Sequence, residues 1–207
     1  MGMMRLGLLA MFLALPALAL AEPTYHRVIN VAPNDVLNVR AEPLARSADI
    51  GDLPHDAQRI EAFEFDTTGN WARIALNERD GWIATRFLTR DDVATLGDTT
   101  LPVGLICGGT EPFWALGLYG SDARYSHPTD GDMDFTYDSI TVAEGRLGSP
   151  ALVTVSTPED TVIEATISGA SCNDGMSDRS YGWTITLQRI ALGQRRFLSG
   201  CCQLPRD

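Results

Sequence analysis

From residue 22 onward the apolar residues come in short runs cut by Gly, Pro, Asn and Asp, and no stretch keeps a capped helical period over three turns. Val36–Arg40, Asn70–Leu76, Phe113–Tyr119, Met133–Tyr137, Leu152–Ser156 and Tyr181–Ile190 all alternate or run apolar in this way. Period-two alternation between turn residues marks strands with one buried face. The chain is therefore expected to be all-β, with at most a short helical turn over Asp91–Leu96. Many short strands must close their sheets or leave hydrogen-bonding edges open to other chains. The expected architecture is a small barrel followed by a second antiparallel barrel or sandwich.

The cysteines divide the chain. Cys107, Cys172, Cys201 and Cys202 all follow residue 106, and residues 22–106 contain none. Between the two parts runs the polar stretch Thr89–Pro102, with Gly97 and Pro102 as breakers. The expected organisation is a leader over 1–21, a first domain over 22–90, a linker over 91–102 and a disulfide-bonded β domain over 103–207. No C-x-x-C pair is present, and His26, His55 and His127 lie far from the cysteines, so disulfides are expected in place of a zinc site. Four cysteines allow three pairings. A bridge between neighbours Cys201 and Cys202 forces their Cα atoms closer than the usual ~4.4–6.8 Å. In the two remaining pairings Cys201 and Cys202 reach separately to Cys107 and Cys172. Neighbours in a strand point to opposite faces, so one bridge is expected on the core side and one outside.

Residues 1–21 explain the oxidising compartment. Arg5 precedes an apolar run from Leu6 to Leu20, which ends in the small-x-small pattern Ala19-Leu20-Ala21. At about 15 residues, and interrupted by Pro16, the run is shorter than the ~20 needed to span a bilayer. It reads as a signal peptide cleaved after Ala21, giving a periplasmic protein without a stable membrane anchor, in a compartment where disulfides persist. All 16 basic residues are Arg, set against 27 acids for a net charge of −11. No basic stripe is present, which argues against a nucleic-acid partner.

In the first domain, Leu37-Asn38-Val39-Arg40-Ala41-Glu42-Pro43 is followed by Ile50-Gly51-Asp52-Leu53-Pro54, Gly69-Asn70-Trp71-Ala72-Arg73-Ile74 and Gly81-Trp82-Ile83-Ala84. The order and spacing resemble a bacterial SH3 (SH3b) domain over about residues 25–90. Alternation along Asn70–Leu76 independently puts Ala72, Ile74 and Leu76 on one face and Trp71, Arg73 and Ala75 on the other. The resemblance implies an exposed Trp in this strand and an aromatic near the last strand as a ligand platform, positions occupied by Trp71 and Phe87. Such a module implies contact with a cell-wall or protein-peptide ligand.

In the second domain, Cys107-Gly108-Gly109-Thr110-Glu111-Pro112-Phe113-Trp114, Cys172-Asn173-Asp174-Gly175-Met176-Ser177-Asp178-Arg179 and Gly200-Cys201-Cys202 together resemble an uncharacterised domain of proteobacterial exported proteins and lipoproteins. Asn173-Asp174-Gly175 is a turn signal. Glu111, Trp114, Asp174, Ser177, Asp178 and Arg179 are candidates for a pocket that takes a cationic group or a peptide. Phe113–Leu118 carries no charge on either face, so it is expected to be covered on both sides, and Gly117 is expected at a bulge or a close backbone approach. Asp130–Asp134 begins like a calcium loop, but Phe135 and Thr141 stand where that loop needs Gly and Glu. Alternation instead points Met133, Phe135 and Tyr137 inward.

No metal, cofactor or catalytic residue is expected. The leading reading is a non-catalytic periplasmic adaptor for peptidoglycan or an envelope protein. The alternative is an envelope inhibitor of a basic lysozyme-type hydrolase, drawn by the acidic charge. Export itself is testable: intact mass of the secreted protein should give an N-terminus at Glu22, and a membrane-bound form retaining Met1 would contradict the leader.

Overall fold

A computed structural model describes residues 22–206, so the leader expected over 1–21 lies outside the described residues. The described residues are all-β, with a single 3-10 turn among them at Thr85–Phe87. The first seven strands are β1 (Thr24–Val28), β2 (Val36–Arg40), β3 (Asp49–Pro54), β4 (Ile60–Phe65), β5 (Trp71–Leu76), β6 (Arg79–Ala84) and β7 (Leu88–Arg90). They form one antiparallel sheet in the order β3-β2-β6-β5-β4-β1-β7. Val39, Ile60, Ala72, Ile74 and Ile83 build its core. The β5–β6 hairpin has a two-residue turn, where Asn77 takes a φ of 53°, a left-handed conformation that Asn tolerates.

The remaining strands are β8 (Leu105–Thr110), β9 (Phe113–Leu118), β10 (Asp122–His127), β11 (Gly131–Val142), β12 (Ala151–Ser156), β13 (Val162–Cys172), β14 (Tyr181–Ala191) and β15 (Gln194–Gln203). They close into an antiparallel barrel, not a sandwich, in the order β10-β11-β12-β13-β14-β15-β8-β9. Inward residues such as Leu116, Phe135, Val153, Ile163, Trp183 and Ile185 fill it. Phe135 is buried, and Met133 and Tyr137 pack against this core, as the alternation over 131–138 requires.

Closure rests on a short contact between the last strand and the first. Cys201, Cys202 and Gln203 pair with Gly108, Cys107 and Ile106. Two disulfides reinforce it: Cys107–Cys202 joins directly opposed residues inside the barrel, and Cys172–Cys201 lies on the outer side. This resolves the pairing. The same contact explains the glycines of both motifs. The Trp114 indole lies against Gly109 and Gly200, and a Cβ on Gly200 would collide with the Gly108 carbonyl.

The outer face of β9 is not covered as expected. Phe113 is exposed and Ala115 half-buried, and only Gly117 is overlaid, by the ring of Tyr119 and not by backbone. The segment 91–102 is anchored by buried Leu96, Thr99, Leu101 and Pro102. It forms no helical turn over Asp91–Leu96. Thr95 bridges Pro102, Thr99 Oγ1 donates to the Leu96 carbonyl at 2.6 Å and accepts from Leu101 N–H at 3.1 Å. Leu96 and Leu101 thereby enter the barrel core. Burying each leucine stabilises by about 1.5–3 kcal/mol, enough to override the polar character of the segment.

A polar seam joins sheet and barrel. Glu61 on β4 accepts Gly182 N–H at 2.9 Å, Leu204 N–H at 3.4 Å and the Tyr25 hydroxyl at 3.1 Å. The Tyr25 hydroxyl accepts Trp183 Nε1–H at 2.9 Å. Asp80 accepts both the N–H and the hydroxyl of Ser180, at 2.8 and 2.7 Å. Gly182 has no alternative here, since a Cβ would lie 2.7 Å from both Glu61 and Pro23.

The bridges span 95 and 29 residues. Chain entropy assigns about 4.7 kcal/mol to the longer and about 3.6 kcal/mol to the shorter. In urea denaturation, Cys107→Ala with Cys202→Ala should cost more stability than Cys172→Ala with Cys201→Ala, and the reverse order would contradict this. Burial pushes the Glu61 carboxyl above its ordinary range, against the pull of its hydrogen-bond donors. Its folded value thus exceeds its unfolded one, so the stability gained by protonation is full below the unfolded value and is lost as pH rises through the folded one. Glu61→Gln stays neutral, so its stability relative to the parent should rise from about pH 4 toward pH 8, as denaturation midpoints can measure.

Candidate functional site

The outer face of the N-terminal sheet is laid out by strand register. Trp71 on β5 stands opposite Ala84 on β6, and two residues along, Arg73 stands opposite Trp82, which in turn faces Arg40 on β2. The period of two puts both rows on one face. Ala84 is small, so the first row dips in the middle. The dip continues into a groove of about 460 Å3 lined by Trp71, Ala84, Arg86, Phe87, Asn38 and Arg40, with the loop over 30–36 as its far wall.

Local chemistry sets each wall. Asp66 organises the β4–β5 turn by accepting Trp71 N–H at 2.8 Å and the Thr68 hydroxyl at 2.5 Å, which orients the start of β5. The 3-10 turn delivers Phe87 against the sheet core, and its carbonyl accepts Ile29 N–H at 2.9 Å. The Arg86 guanidinium lies 4.6 Å from the Phe87 ring centre and has no ion pair among the described residues. Arg40 is held by Asp49 at 3.4 Å. Cation, ring and indole thus share one groove, with Asp35 on the loop side.

Arg73 does not line this groove. It sits between Glu64 at 2.9 Å and Asp80 at 2.7 Å. Burial would lower its pKa, but the two carboxylates raise it above the ordinary value. Arg73 is therefore a structural cation that ties β5 to Asp80 and, through Asp80, to the barrel.

The six candidates of the second domain do not converge. Trp114 points into the barrel and is 5% exposed. Its indole needs the space above Gly109 and Gly200, which only the interior offers. Glu111 lies on the exposed β8–β9 turn. The 173–180 loop lies on the outer side, where Thr110 Oγ1 donates to the Asp174 carbonyl at 3.1 Å. Asn173 and Asp174 cap its turn, accepting Gly175 and Met176 N–H at 2.8 and 3.0 Å. Ser177 Oγ accepts Arg179 N–H at 3.3 Å, and the backbone of Asp178 forms an isolated parallel β-bridge with Arg79 of the N-terminal sheet. Arg179 turns to the seam, bonding Gln203 and the Asn77 carbonyl and lying 4.8 Å from the Tyr181 ring centre. Asp174 alone lines a shallow outer cleft of about 210 Å3, beside Tyr181, Gln203 and Gly108. Burial raises its carboxyl, but the Met176 and Ser177 N–H groups and the Tyr181 hydroxyl outweigh it and hold it below the ordinary range. This loop is a docking element between the two units.

Sequence reasoning passed over Trp82, Arg40 and Arg86. Alternation along Gly81–Ala84 carried the signal for Trp82 and Ala84, since Gly81 and Ile83 point inward. The loop over 30–36 carried none, because its role depends on where β2 lies. Comparison with family models, with curated proteins and with solved structures returns no match for this chain.

Proposed function

We propose that the protein is an exported, non-catalytic binding adaptor of the periplasm, and that its SH3-like N-terminal sheet recognises a cell-wall or protein-peptide ligand in the groove between Trp71 and Phe87. The observation that carries this reading is the groove itself. Its volume of about 460 Å3 suits a small ligand segment. Trp71 offers rigid stacking area at low entropic cost, for a sugar face or a peptide plane. Arg86 supplies a cation with no ion pair among the described residues. Arg73 and the 173–180 loop support the groove indirectly, by fixing β5 and β6 against the barrel.

The test is Trp71→Ala in a pulldown on purified peptidoglycan, beside a lysozyme inhibition assay. Retention should fall with the substitution, while unfolding free energy changes by under about 1.5 kcal/mol, because the indole is only half-buried. A loss of about 3–5 kcal/mol would identify Trp71 as core. Inhibition of lysozyme without peptidoglycan retention would favour the inhibitor reading.

A further inference from the structure

In the eight-strand order of the barrel, β10 and β14 stand four places apart, on opposite walls, as do β11 and β15. At the end formed by the β10–β11 and β14–β15 hairpins, polar residues of these walls meet. Arg189 and Arg196 are directly opposed on β14 and β15. Like charges so placed repel. Asp130, from the β10–β11 turn, reaches across the opening to both: its Oδ2 accepts Arg196 at 2.9 Å and pairs with Arg189 at 3.2 Å. Two guanidiniums share one carboxylate oxygen, which leaves a surplus positive charge in a chain of net charge −11.

Beneath them runs an aromatic stack. Trp114 and Tyr125 have ring centres 6.5 Å apart, and Tyr125 and His127 6.3 Å. The Arg189 guanidinium lies 5.7 Å from the Tyr125 ring centre. Tyr125 is 0% exposed, and its hydroxyl has no hydrogen-bond partner among the described residues. The same holds for Arg189 Nε, on a side chain only 12% exposed. Buried polar groups are nearly always partnered. Here two orphaned groups that can donate lie beside a surplus cation. An oxygen-rich anion satisfies all three conditions. A cation does not, because the nearby carboxylate is already shared by two guanidiniums.

We propose that this barrel mouth is an oxyanion site, in which Arg189, Arg196 and the Tyr125 hydroxyl hold a carboxylate or phosphate group. Arg189 is the fixed member, bracketed by Asp130, Met133 and Tyr125. Arg196, whose side chain is 44% exposed, is the open side through which the anion enters. The aromatic stack forms an apolar floor, which lowers the local dielectric and strengthens the charge-assisted bonds. The site is independent of the groove on the N-terminal sheet.

Calorimetric titration of the purified protein with sodium phosphate and, separately, sodium acetate, each against sodium chloride at equal ionic strength, tests the proposal. At least one is expected to bind with a Kd on the order of 1 mM or tighter. Tyr125→Phe removes only the hydroxyl and should weaken that binding by roughly tenfold, the loss of one hydrogen bond to a charged ligand. Arg196→Gln, at an exposed position, should abolish it. Binding of phosphate alone assigns a phosphate ligand, and binding of acetate alone a carboxylate. No binding of either anion overturns the site, as does binding that either substitution leaves unchanged.

Discussion

The contact between β15 and β8 organises this molecule. Only three residue pairs make it, yet it joins the last strand of the barrel to the first and converts a sheet into a closed cylinder. A sheet so closed has no edge left to recruit other chains. The Cys107–Cys202 bridge lies across this contact, and Gly200 brings the two strands closer than any side chain would permit. The indole of Trp114 then fills the space the glycines leave. Closure, bridge and packing around Trp114 are one solution to one steric problem.

The same strand continues into the seam with the N-terminal sheet. Past Gln203, Leu204 gives its N–H to Glu61, and Arg206 bonds the Ala75 carbonyl at 2.9 Å. Tyr25, Glu61 and Trp183 form a hydrogen-bonded chain whose members satisfy one another, so these three side chains are buried between the two units with partners for their polar groups. Asp80 works on both sides of the seam, neutralising Arg73 within the sheet and capping Ser180 of the barrel. The orientation of β5, and with it the position of Trp71 in its groove, is therefore tied to the barrel.

The two ends of the barrel are treated differently. One takes the leucines of the 91–102 segment into its core, so the connection between the units is itself part of the second unit's packing. The other is spanned by Asp130 and two arginines above an aromatic stack, a polar arrangement with more donors than acceptors. The groove of the N-terminal sheet has a third character, with aromatic walls and, in Arg86, a cation that has no ion pair among the described residues.

Much of the scaffold was legible in the amino-acid order because it depends on local rules. Period-two alternation placed Ala72, Ile74 and Leu76 inward and Trp71 outward, turn residues marked the strand ends, and the adjacency of Cys201 and Cys202 required bridges on opposite faces. Local rules do not say which wall of a closed barrel faces which. Motif chemistry therefore groups Trp114 with Asp174 and Arg179, although the barrel wall separates them, and alternation sets Arg73 beside Trp71, although Glu64 and Asp80 claim it. The burial of Leu96 and Leu101, the Glu61 seam and the meeting of Asp130 with Arg189 and Arg196 all join residues distant in sequence. The sequence by itself determined the strands, their buried faces and the chemistry of the bridges, because those follow from neighbours along the chain. Only the tertiary structure decided the pairing, the seam and which polar residues meet at the barrel mouth, because those follow from how the cylinder closes and where it packs.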